Sequence, residues 1–139
     1  IAAALPKEIE ANYQLYLESL KRPMPFFIGV PKTDGTKLAL NWDVSYDFHA
    51  EDITYTVELA TDYQFQNVIF RQEGVAVQEV QTSVPAAGQY FVRVRATDSS
   101  GKTQDAFDYY ATDNGKNYGM KCFYVTADQR IEEDIYEKN

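Results

Sequence analysis

The sequence predicts an all-β protein, a sandwich of about seven strands preceded by one amphipathic helix. Three observations carry this expectation. From Lys37 to Gly101, short segments alternate apolar and polar residues, the period-2 signature of strands with one buried and one wet face. The segment Tyr90-Phe91-Val92-Arg93-Val94-Arg95-Ala96 is reached through a Pro85-Ala86-Ala87-Gly88 corner, and its tyrosine stands where a tyrosine corner would stand. The chain also holds 11 Tyr and 8 Phe, whose rings pack well on pleated, half-buried surfaces.

Taken in order, the elements fall into three zones: residues 1–25 as helix and linker, 26–126 as sandwich and 127–139 as an acidic tail. Residues 5–22 read as the helix. Pro6 suits a first turn, Glu8 and Glu10 favour its N-terminus, and Ile9, Tyr13, Tyr16, Leu17 and Leu20 form one apolar stripe. Pro23 and Pro25 end it. The stripe is expected to pack on the sandwich rather than on a neighbouring domain.

Phe26–Val30 is a first strand, followed by a turn at Lys32-Thr33-Asp34-Gly35. Leu38, Leu40, Trp42 and Val44 share the inner face of the next strand. Tyr55, Val57 and Leu59 do the same in another. The cluster Phe65, Val68, Ile69 and Phe70 leads to a turn at Glu73-Gly74, and Val75–Val84 supplies the following strand. In the penultimate strand Tyr90, Val92, Val94 and Ala96 point inward. Arg93 and Arg95 point out, as cross-strand partners of Glu or Asp. Beyond Gly101 the alternation loosens: 103–110 reads as a short helix or an irregular excursion. Asp113-Asn114-Gly115 turns the chain, Tyr118–Val125 closes the sheet, and a helical turn is expected around 131–136.

Composition bounds the function. A chain of 139 residues that is 45% hydrophobic and 24% charged is one ordered domain with a core that needs neither disulfide nor metal. No apolar run reaches the ~20 residues that span a bilayer, so membrane insertion is not expected. With 13 basic residues against 21 acidic and a net charge of -8, the chain lacks the positive field that a nucleic acid needs. It begins with Ile1 rather than Met and reads as a segment of a longer protein. One cysteine, Cys122, excludes an internal disulfide.

These strands resemble a fibronectin type III domain, an immunoglobulin-like β-sandwich. Leu38-x-Leu40-x-Trp42 is similar to the family's second strand with its core tryptophan, and Tyr55-x-Val57-Glu58 to its third. Ala87-Gly88-x-Tyr90-x-Val92-Arg93-Val94-x-Ala96 is similar to its corner tyrosine and penultimate strand, and Asp98-Ser99-Ser100-Gly101 to the turn that follows. The resemblance covers residues 26–125. Two features depart from the family: the leading helix, and an insertion over about 103–117 that delays the last strand. The insertion resembles the C-terminal module of spore-coat-protein-H-type (CotH) bacterial proteins, which implies an exported protein at the cell or spore surface. The resemblance carries no catalytic residue and no cofactor. It implies a non-catalytic accessory module, a spacer or protein contact, whose partner is a neighbouring domain of the parent chain or another protein. Trp42, Tyr55 and Tyr90 are then structural.

Other chemistry is weakly represented. His49 is the only histidine, in an expected loop, and Cys122 reads as a small core residue; together they supply neither a triad nor a soft-metal site. Asp98–Asp105 has some of the oxygen spacing that calcium needs, but only two carboxylates, and reads as a solvated turn. Glu51-Asp52 and Glu132-Glu133 read as surface charge rather than a glycosidase pair. The insertion is the alternative place to look for a ligand. Its Phe107, Tyr109, Tyr110 and Tyr118 stand among Asp and Asn, a mixture suited to stacking on pyranose faces and bonding to hydroxyls. Tyr109, Tyr110 and Tyr118 are therefore the candidate ligand-binding residues of a polysaccharide-binding module. The competing expectation is that these rings cover the end of the sandwich or pack on the helix.

Overall fold

The computed structural model describes residues 23, 25–34, 36–45 and 52–133. The expected helix at 5–22, the His49 loop and residues 134–139 lie outside these. The described chain is all-β, with eleven strands and no helix: β1 (Lys32–Asp34), β2 (Lys37–Asn41), β3 (Ile53–Ala60), β4 (Val68–Val75), β5 (Glu79–Ser83), β6 (Gly88–Asp98), β7 (Thr103–Asp105), β8 (Tyr109–Thr112), β9 (Gly115–Tyr118), β10 (Met120–Val125) and β11 (Ile131–Glu133). They form a small antiparallel sheet, β1-β2-β5, and a large one, β11-β10-β6-β3-β4, with β7 also on β6. The pair β8-β9 stands apart as a two-stranded ribbon.

One apolar core joins the two sheets. Leu38, Leu40, Trp42 and Val80 come from the small sheet side. Tyr55, Val57, Leu59, Tyr90, Val92, Val94, Ala96, Phe123 and Val125 come from the large one. This is the packing of a β-sandwich, and the inward set of β3 and of β6 is the one that the alternation predicts. Leu38, Leu40, Val57, Val92 and Val94 are fully buried, each worth roughly 1.5–3 kcal/mol relative to exposure.

A second cluster covers part of the outer face of the large sheet: Ala60, Phe65, Phe91, Met120 and Cys122, with Tyr63, Val68, Tyr110 and Tyr124 against it. Phe91, Met120 and Cys122 point away from the main core because strand residues alternate. Cys122 is buried there as a small core residue. Beside this cluster the outer face carries charge. Glu58 stands in register with Arg71 on β4 and Arg93 on β6, and its carboxylate accepts from both at 2.9 and 2.6 Å. Arg93 also lies 4.1 Å over the Phe65 ring. Arg95 pairs with Asp105 at 2.7 Å. Both outward arginines therefore have the cross-strand acidic partners expected of them.

Several local expectations are corrected. Phe26–Val30 is not a ladder strand: it joins the small sheet through an isolated Ile28–Trp42 bridge, the bonds Gly29 N–H to Asn41 O and Asp43 N–H to Phe27 O, and Asn41 Nδ2 donating to Val30 O. Lys32–Asp34 is strand β1 rather than turn, while the chain reverses between Asp34 and Lys37, which pair, where the Asp-Gly signal puts the turn. Strand β2 stops at Asn41, leaving Val44 exposed. Glu73-Gly74 is not a turn: it lies within β4, where Thr56 alone stands opposite Glu73 and Gly74. Gly74 has φ 67°, so this is a bulge with glycine in the left-handed region. Turn and bulge make the same conformational demand on the residue, which is why the dipeptide reads as either. The strand expected over 75–84 begins only at Glu79. Residues 131–133 are strand β11, paired with β10, rather than the start of a helical turn.

Candidate functional site

The last strand is split in two, and the candidate site hangs in the gap. Strand β7 fills one edge of β6 opposite Arg95–Thr97. Ala106 N–H then bonds to Val94 O. The same edge continues with β10, whose Met120 pairs with Arg93. Residues 107–119 therefore loop out of one interrupted strand. The insertion is neither helical nor irregular; it is the hairpin β8-β9, and the edge of β6 is occupied from Thr103 onward rather than from Tyr118. Tyr118 belongs to the hairpin, and the closing strand restarts at Met120.

Hairpin pairing sorts the candidate tyrosines onto two faces. Tyr109 pairs with Tyr118 and Tyr110 with Asn117, so the first pair and the second project to opposite sides. Tyr110 turns to the sheet, its ring 4.8 Å from that of Phe91 at an interplanar angle of 80° and 5.8 Å from Tyr63. The edge-to-face contact with Phe91 is a favourable one for π systems. Asn117 Nδ2 donates to Tyr110 O at 3.0 Å and fixes that face of the ribbon. Tyr109 and Tyr118 lie on the other face, with ring centroids 5.6 Å apart. Tyr118 is 61% exposed. Lys116 Nζ sits 4.7 Å from the Tyr109 centroid, a cation–π contact. Tyr109 and Tyr118 thus stand together on the outward side, while Tyr110 is committed to packing.

The base of the hairpin is tied to the N-terminal segment. Asp108 Oδ1 accepts from Ile28 N–H at 2.6 Å, and Phe107 N–H donates to Phe26 O at 2.8 Å. The Phe107 ring meets Phe27 edge-on at 6.1 Å. Burial pushes the Asp108 carboxyl above its ordinary value, outweighing the Ile28 amide and nearby Lys121, which pull it down. Lys121 Nζ lies 3.9 Å from both Asp108 Oδ2 and Glu133 Oε1. Of the insertion's aromatics, Tyr110 covers the outer face of the large sheet and Phe107 packs on Phe27 of the N-terminal segment.

The architectural residues lie inside. Tyr90 is buried and its hydroxyl donates to Ala86 O at 2.6 Å. The Tyr55 hydroxyl accepts from Ser45 N–H at 2.9 Å, and its ring lies 5.4 Å from Trp42 and 5.9 Å from Phe26. In the stretch weighed for calcium, Asp98 Oδ1 accepts from Ser100 N–H, Ser100 Oγ and Lys102 N–H, which closes the β6–β7 turn. Asp105 is paired with Arg95. Among the described residues, no three His, Cys, Asp or Glu gather as a metal-ligand set. No helix among them is long and apolar enough to cross a membrane.

Sequence reasoning missed Asp108, Lys116 and Phe91. A signal for Phe91 was present: three consecutive apolar residues, Tyr90-Phe91-Val92, mean that both faces of the strand are covered there. Asp108 carried none, since an aspartate among aromatics reads as solvated. No protein-family model matches the chain, and no curated protein matches it.

Proposed function

We propose that this chain is a fibronectin type III-like accessory module, a non-catalytic spacer or protein-contact unit of a larger exported bacterial surface protein. The observation that carries the reading is the Tyr90–Ala86 hydrogen bond at the start of β6. It sits in a sandwich whose chain passes from β1 and β2 in one sheet to β3 and β4 in the other, back to β5 in the first and on to β6 in the second, features that together fit the immunoglobulin-like architecture. The exported, surface-located part of the reading, including the likeness to spore-coat modules, rests on sequence resemblance. Glu58, Arg93, Arg95, Asp98 and Asp105 are engaged in a turn and in ion pairs, as a scaffold requires. The test is unfolding of the isolated chain in urea, together with retention on a panel of cell-wall and plant polysaccharides. Cooperative two-state unfolding without retention is expected; turnover of an ester, glycoside or peptide that tracks the purified domain would overturn the reading.

A second reading has its own support. An exposed Tyr118 beside Tyr109, with Lys116 over the latter, is a surface able to stack on a sugar ring and bond to its hydroxyls. On that reading Tyr118→Ala abolishes polysaccharide retention while Tyr110→Ala mainly destabilises the fold. Absence of retention on every polysaccharide would sink it.

A further inference from the structure

Among the described residues, the end strands of the two main sheets, β1, β5, β4 and β11, are not equally defended against pairing with another chain. Unpaired strand edges template association unless bulges, prolines or charges blunt them. Strand β4 is interrupted by two register shifts. Strand β1 follows Pro31 and carries Lys32 and Asp34. Strand β11 is three residues long and mostly acidic. Strand β5 (Glu79-Val80-Gln81-Thr82-Ser83) has no proline and no lysine, pairs with β2 without a bulge, and has no neighbour on its other side among the described residues.

The hydrogen bonds that flank β5 say which groups face outward. Trp42 N–H donates to Gln78 O, and Val84 N–H donates to Thr36 O. In an antiparallel ladder the bonded pairs alternate, so residues 78, 80, 82 and 84 direct their backbone groups to β2. Glu79, Gln81 and Ser83 direct theirs away from it. Their side chains are exposed as well. The free edge therefore presents three N–H donors and three C=O acceptors at alternate residues.

We propose that this edge joins a second copy of the chain by antiparallel β5–β5 pairing about a two-fold axis at Gln81. The register is self-complementary: Gln81 meets its symmetry mate, and Glu79 meets Ser83 of the other copy, so the one charge on the strand faces a neutral hydroxyl. Each of the three outward residues then exchanges both of its backbone bonds, as an isologous interface requires. Any other in-phase antiparallel register leaves outward residues without partners, and the one centred on Glu79 sets like charges opposite one another. The inference goes beyond the accessory-module reading and does not depend on any glycan site.

Sedimentation equilibrium of the intact chain over a range of concentrations up to millimolar tests it. The expected result is a reversible monomer–dimer equilibrium. Gln81→Pro removes an outward N–H without touching the β2 ladder and should weaken association about tenfold or more. Gln81→Lys and Gln81→Glu each place like charges across the axis and should each be monomeric, whereas an equimolar mixture of the two should regain the dimer. Urea unfolding of the two charge variants near the wild-type midpoint confirms that they fold. A wild-type chain that stays monomeric throughout, or a dimer indifferent to all three substitutions, would overturn the proposal.

Discussion

The hydroxyl of Tyr90 donates to the carbonyl oxygen of Ala86, four residues upstream at 2.6 Å, and thereby holds the corner through which the chain enters its longest strand. The ring is buried and lies 6.0 Å from Phe123, so the bond ties a surface corner to the main core. Tyr90→Phe keeps the ring and removes the bond. It should lower stability by about 1 kcal/mol, read as a lower urea midpoint with an unchanged slope. An unchanged midpoint would strip the corner of its structural role.

Glu58 sits between two arginines with its side chain 11% exposed, but the two are held differently. Arg93 contributes both Nε and an Nη to one carboxylate oxygen and is the less exposed of the pair. Arg71 shares itself with Glu73 and is half exposed. Double-mutant cycles with Glu58→Gln should therefore give a coupling of about 1 kcal/mol for Arg93 and a smaller one for Arg71. Equal couplings would mean that exposure does not decide the strength here.

Acid should act in opposite directions at two aspartates. The Asp108 carboxyl is raised by burial, so its contribution to stability is fully present below the ordinary value of 3.8 and is lost as pH rises through its higher folded value. Asp108→Asn keeps an acceptor for Ile28 N–H and removes the titration. Relative to wild type, it should gain stability as pH rises from 3.8 toward neutrality. Asp62 is held below its ordinary value by the amides of Asn67 and Gln66, so its contribution is present above 3.8 and lost as pH falls through the lower folded value. Asp62→Asn should therefore cost more at neutral pH than in acid. Unfolding midpoints of both variants across that range check the signs.

Gly74 has φ 67°, and beyond its two chain neighbours no atom lies within 4 Å of where a Cβ would stand, so a substitution there meets backbone strain and no clash. Gly74→Ala should cost about 1 kcal/mol, and Gly74→Asn less, because asparagine tolerates the left-handed region. Equal losses in thermal unfolding would place the cost elsewhere than in the bulge.

What could be read from the residues follows from strand length. The five- to eleven-residue strands β2, β3 and β6 show alternation long enough to assign faces, and the inward sets at Leu38, Val57 and Val92 are legible at once. Strands β7, β8, β9 and β11 have three or four residues, too few for a period to emerge. Tyr109, Tyr110 and Tyr118 could be marked as a group, but separating them needs the register Tyr109–Tyr118, which no local pattern encodes. The residues that anchor the hairpin, Asp108 and Ile28, lie 80 positions apart and meet only through the fold.

The interruption of the last strand has a consequence for how this surface can vary. Strand β7 ends at Asp105 and β10 begins at Met120, yet a Cβ placed on Gly119 would stand 3.2 Å from Asp105 Cβ. The excursion leaves and returns through one narrow gate in a ladder that is registered on both sides of it. Its length and side chains can therefore be exchanged like a cassette, with the sheet serving as an unaltered frame. Two conditions hold: an aromatic ring still covers Phe91 where Tyr110 does now, and a carboxylate or amide at position 108 still accepts from Ile28 N–H.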